Sequence, residues 1–162
     1  MDCYPHWWRV GSKLKELVKE KELSNLYIDI SEEILKNLVF DSSPQDNQNQ
    51  LLFINCIENS ISYLADDIYK SFESDIDSIE DLNFKFKMIQ LANSEVLKNI
   101  ILKEIEPSGF IYQLEDSKDK LVSDHDKNLI TSNQSNDLKK FSLILNKYKI
   151  FKELLRKILD EC

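Results

Sequence analysis

From Leu51 onward, apolar residues recur at steps of three and four: Leu51, Ile54, Ile57, Ile61, Leu64 and Ile68. That period belongs to one face of an α-helix and predicts a helix over 51–72, with a seam suited to antiparallel packing. Ile79, Leu82, Phe86, Ile89, Val96 and Ile100 repeat in the same way. They predict a second long helix over 79–105, capped at Ser78 and stopped by Pro107, which can neither donate to the ladder nor leave Glu106 helical. A third, over 137–160, is carried by Leu138, Phe141, Ile144, Tyr148, Phe151, Leu155 and Ile158. Shorter helices are expected over 12–23, behind the cap Ser12, and over 31–40, where Glu32 and Glu33 suit the positive end of the helix dipole. Between these two, Leu26, Ile28 and Ile30 alternate with Tyr27 and Asp29, a period of two that predicts a short extended segment near 26–30.

Two stretches lack a stripe. Residues 41–50 hold no apolar side chain except the ring of Pro44, and residues 115–136 are polar apart from Leu121, Val122, Leu129 and Ile130. Flexible loops are therefore expected near 41–50 and 115–134. Phe110 to Leu114 fits either a turn of helix or a second short strand. The pattern predicts an all-α chain: a single helical domain over 1–162, built as an irregular antiparallel bundle of four or five helices. Its expected core is Leu17, Leu35, Ile54, Ile61, Leu64, Leu82, Ile89, Val96, Ile100, Phe141, Tyr148 and Leu155.

Composition removes several classes of protein. Among 162 residues there are two glycines and three prolines. Gly-rich phosphate loops need several glycines close together, because backbone must approach phosphate with no Cβ in the way. Only Gly11 and Gly109 are present, so nucleotide loops of that kind are absent. With 42% hydrophobic residues the chain can build a core, unlike an acidic disordered tail. Cys3, Cys56 and Cys162 are odd in number and far apart, which is no disulfide framework and suits a reducing compartment. The first residues carry no basic-then-apolar leader, and no run of about 18 apolar residues occurs. A cytoplasmic protein without membrane insertion is the expectation.

Charge alters the picture along the chain. The formal net charge is −8. Residues 24–136 hold nine bases and twenty-one acids, whereas 137–162 hold seven bases and four acids. So acidic a middle repels a phosphate backbone and confines any nucleic-acid contact to the C-terminal helix.

The search for catalytic chemistry returns little. His6 follows Cys3 by three residues, half of a zinc spacing, but no second Cys or His pair completes four ligands. A di-iron helix pairs Glu with a His three residues later; here Cys3 precedes His6 and Val122 precedes His125. Asp66 and Asp67 are neighbours, and on a helix adjacent side chains diverge by about 100°, so they do not chelate. No catalytic residue, metal or cofactor is expected.

Surfaces remain. Tyr4, His6, Trp7, Trp8 and Arg9 have the composition of a binding hot spot, and the competing reading is a lid over the end of the bundle. Lys149, Lys152 and Arg156 fall on one ridge of the last helix, a candidate contact for phosphates or for an acidic partner, or else a solvated or internally paired face. The chain is thus expected to be a non-enzymatic helical module that binds another protein, as adaptor, inhibitor or small structural subunit. The alternative is a small subunit of a nucleic-acid-handling assembly, contacting phosphates through the basic helix; self-association stays open.

Overall fold

A computed structural model describes residues 6–127 and 134–161, with side chains described over 19–123 and 137–161. Among these residues the regular secondary structure is all helix, with no strand: α1 (His6–Asn37), α2 (Pro44–Tyr69), α3 (Phe84–Leu91), α4 (Lys98–Ile105), α5 (Phe110–Lys127) and α6 (Gln134–Glu161). The mainly α bundle agrees with the sequence pattern. Helix α2 is the centre, packed by α1, α3, α5 and α6. Its buried residues, among them Phe53, Ile54, Ile57, Ile61, Leu64, Ala65 and Ile68, come from more than one stripe, as a helix covered on several sides requires.

The expected break around 26–30 is absent, because α1 runs unbroken through it. The inward residues are Ser24, Ile28 and Ser31, at helical steps of four and three, with Leu35 partly buried behind them. Two of these are serines, which hid the period. Leu26 and Ile30, the outer members of the apparent alternation, are exposed.

The loop expected over 41–50 is mostly helix. Only 38–43 link α1 to α2, and Ser43 caps α2 by accepting from the backbone N–H of Asp46, with Pro44 in the first turn. Asp46 is itself buried, accepting from the N–H of Val39 at 2.8 Å and from Gln50 Nε2 at 2.8 Å. Phe40, at φ 56°, tucks into the core edge-on to Phe141 at 5.3 Å.

The helix expected over 79–105 is divided. Asp81 turns the chain at φ 61°, Asn83 caps α3, and residues 92–97 form turns before α4. The division brings Leu91, Ala92, Leu97 and Ile101 into the core, a spacing no straight helix could bury on one face. Its corollary corrects three expected core residues: Leu82, Ile89 and Val96 are 37%, 37% and 49% exposed. Ile54, Ile61, Leu64, Phe141, Tyr148 and Leu155 are buried as expected, Leu35 and Ile100 are partly buried, and Leu17 lies outside the described side chains.

The polar stretch expected as a loop over 115–134 is helix α5 as far as Lys127; residues 128–133 lie outside the described residues. A narrow stripe of Phe110, Ile111, Leu114, Ser117 and Leu121 faces inward. Charges flank it and pair across to neighbouring helices: Lys118 to Glu58, Lys140 to Asp116, and Lys85 to Glu115.

Between α4 and α5 the chain turns a tight corner through Pro107, Ser108 and Gly109. A Cβ at Gly109 would sit 2.2 Å from the carbonyl oxygen of Glu104, so only glycine fits there. The carboxylate of Glu104 accepts from the N–H of Phe110 at 3.1 Å, and Gln113 Nε2 donates to the Pro107 carbonyl at 2.8 Å.

Candidate functional site

Of the expected partner-binding residues, Tyr4 lies outside the described residues. His6, Trp7, Trp8 and Arg9 occupy the first turn of α1, and their side chains lie outside those described.

The basic ridge of α6 is corrected. Lys152 does not face solvent: it is buried, and its ammonium donates to Ser24 Oγ at 2.9 Å and Asn25 Oδ1 at 2.7 Å. Lys152 follows the buried Tyr148 by four residues and precedes the buried Leu155 by three, so the helical period itself carries it inward. Lys149 is ion-paired with Glu32 of α1. Arg156 is half-buried, and its Nε and Nη2 meet no hydrogen-bond partner among the described residues.

These side chains cap a buried polar network joining α1, α2 and α6. Ser24 Oγ donates to the Ser60 carbonyl at 3.0 Å, and Ser60 Oγ donates to the Ser24 carbonyl at 2.6 Å. Each hydroxyl has a single proton, so Tyr148, 2.7 Å from Ser60 Oγ, must donate its own to that oxygen. Burial pushes the Tyr148 phenol up to about 12, in keeping with a hydroxyl that serves as donor. Burial, and then the neighbouring Arg156, hold Lys152 down to about 8. Asp67 points to this side and is raised by burial against the pull of Arg156, Lys21, Lys70 and Lys152. Asp66 points away and binds Lys87 of α3 through both oxygens, at 2.7 and 2.8 Å. The two adjacent acids therefore diverge, each serving a different helix contact. The network has the connectivity of an internal brace, with every hydroxyl and the ammonium engaged.

Among the described residues, no three His, Cys, Asp or Glu side chains gather closely enough to hold an ion. Cys56 is a buried free thiol whose pKa burial raises, the reverse of an activated nucleophile.

An open, concave site does exist elsewhere. A groove of about 460 Å³ runs between α4, the α4–α5 corner and α6. Ile100 forms one wall and Ile150 and Leu154 the other, with Phe151 between them. Phe151 is buried against Phe110, ring centroids 5.2 Å apart, and so belongs to the core, whereas Ile150 is 66% and Leu154 43% exposed. Lys103 and Lys147 stand at the edges; Lys147 Nζ reaches the Ser108 carbonyl at 2.7 Å. The sequence pattern assigned the inward stripe of α6 correctly except for its first member, Leu138, which is 43% exposed, and it passed over Ile150 and Leu154. They lie beside the core residues Phe151 and Leu155 in sequence, and on the opposite flank of the helix.

Two other depressions are shallower and more open to solvent. One of about 470 Å³, itself largely apolar, lies between α1 and α2, lined by Asp29, Ile30, Glu33, Ile34, Asn37 and Asn49. The other is lined by Lys85–Glu115 and Lys118–Glu58, ion pairs that already satisfy one another. No helix among the described residues is long and apolar enough to cross a membrane. Comparison with protein-family models, curated proteins and solved structures returns no match, so the local geometry alone bears on function.

Proposed function

We propose that this chain is a non-enzymatic helical interaction module, acting in a reducing cytoplasm, that holds a partner protein in the groove between α4 and α6. One observation carries the reading: Ile150 and Leu154 lie open to solvent beside an apolar groove into which the buried Phe151 also opens. Apolar side chains lining a concavity, rather than scattered singly, gain free energy only when something covers them. The alternative reading, phosphate contact through the C-terminal helix, is weakened because Lys149 and Lys152 are already engaged by Glu32, Ser24 and Asn25.

A photo-crosslinking residue placed at Ile150 tests the proposal in extract of the native source, with the same residue at Leu52 of α2, also exposed, as the control. Position 150 should give a discrete crosslinked protein that position 52 does not. Identical products from both positions, or none from 150, overturn the reading.

A further inference from the structure

We infer that the partner segment is an amphipathic helix whose apolar stripe is flanked by carboxylates. The inference rests on reading the α4–α6 groove as a protein-binding site, and it adds the chemistry of the occupant.

The first argument is shape. On α6, Leu143, Ile150 and Leu154 fall within about 40° of one another around the axis and span roughly 16 Å, about three turns. All three are exposed. A row of this length, continuing into a groove between two helices, matches the apolar edge of a third helix laid along it. A flat bilayer would rest on the outer rim of such a concavity, whereas a protruding row of side chains enters it.

The second argument is charge. Lys139, Lys147 and Lys157 share the outer face of α6 with those apolar residues, and Lys103 stands on the facing wall. No acid pairs with any of the four among the described residues, although Glu153 lies at the margin of the face and Glu161 on it, at the C-terminal end of α6. The groove's own acid, Glu104, is turned into the fold by its bond to the Phe110 N–H. A locally basic apolar groove on a chain of net charge −8 is a directional signal. An acidic helix is drawn to this face and repelled from the remainder, whereas a basic helix is drawn elsewhere. A second copy of this chain brings the same negative charge and is disfavoured.

The test uses a displayed library of helical peptides of about 18 residues, five turns. Apolar residues are constant along one stripe, and the flanking positions are drawn from Glu, Lys and Gln. Selection on the full chain should enrich Glu at the flanks. A synthetic peptide of the enriched sequence should bind about tenfold or more weakly to Ile150→Glu and to Lys103→Glu, both with unchanged circular dichroism and Tm. Its binding should also weaken as salt is raised. Enrichment of Lys or Gln, no enrichment, or binding indifferent to both substitutions would overturn the inference. So would sedimentation as a dimer that Ile150→Glu dissolves, or binding to phosphatidylserine vesicles with none to peptides. The crosslinking experiment keeps the two proposals apart: a partner captured at position 150 through a neutral or basic segment sinks the inference and leaves the protein-binding reading standing.

Discussion

The ammonium of Lys152 on α6 donates to Ser24 Oγ of α1 at 2.9 Å, across 128 positions of chain. A buried cation here finds two oxygens, Ser24 Oγ and Asn25 Oδ1, and no carboxylate in direct contact. That arrangement tolerates either protonation state of the amine, and it ties the first and last helices to the Ser60 position of α2.

The hydroxyl pair at the heart of the network should behave as a coupled unit. Ser60→Ala removes the acceptor 2.7 Å from the buried Tyr148 hydroxyl and leaves it only the Ser24 side chain, at a cost of about 1–3 kcal/mol. Tyr148→Phe alone should cost about 1 kcal/mol. Urea titration of the double variant should show less destabilisation than the sum of the two singles, since each loss already includes the shared bond. Strict additivity would mean that the 2.7 Å contact carries no energy.

Stability should depend on alkaline pH with two opposing slopes. Lys152 titrates at about 8 in the fold against its ordinary value of 10.5, through burial first and Arg156 second, with Asp29 and Asp67 opposing and Lys21 adding. Between those values the unfolded chain binds more protons than the fold, so this group makes stability rise with pH. Tyr148, at about 12 against 10.0, does the reverse: it ionises first in the unfolded chain, and its contribution falls as pH rises above that ordinary value. Compared with Lys152→Met, the wild type should gain stability between about pH 8 and the ordinary lysine value in denaturant titrations. Parallel profiles for the two proteins would show that the amine is not held low.

Core and surface should separate along the division between α3 and α4. Phe53→Ala, at a fully buried site on α2, should cost about 3–5 kcal/mol through the cavity it leaves. Val96→Ala, on the turn, should stay within about 0.5 kcal/mol because that side chain is half exposed. Thermal melts of the two variants check both. Equal losses would restore Val96 to the core.

The start of α2 should depend on one hydroxyl. Ser43→Ala removes the acceptor for the Asp46 N–H and should cost about 1 kcal/mol, with hydrogen exchange rising first over 44–48. Unchanged protection there would place the helix start elsewhere.

How far the sequence pattern reached depended on how purely each face was apolar. The seams of α2 and α6 were legible because Ile54, Ile61, Leu64, Phe141, Tyr148 and Leu155 repeat without interruption. Helix α1 was not, since Ser24 and Ser31 stand at its inward positions and read as polar. Helix α5 and the first turns of α2 bury narrow stripes under many charged or amide side chains, which resemble loop composition. Asp46 and Lys152 show the general reason: side-chain type suggested solvent, and helical spacing decided otherwise. At the groove, Leu143, Ile150 and Leu154 do share one helical face, but what that face does depends on α4 lying opposite it, which no spacing within α6 reveals. The division that positions α4 lies in the turns over 92–97, closed by backbone bonds such as Ser94 N–H to the Leu91 carbonyl, and the apolar repeat running through it masks it.

The glycine corner at Gly109 has a kinetic consequence. With Glu104 backbone packed where a Cβ would sit, the path from α4 into α5 is close-packed at this corner. If the groove holds a partner as proposed, its wall is already built on that corner in the free chain, and most of the ordering entropy should fall on the incoming segment. On that proposal, encounter should be limited by diffusion and charge steering rather than by any opening of the bundle, and partners that differ in affinity should differ chiefly in how long they stay.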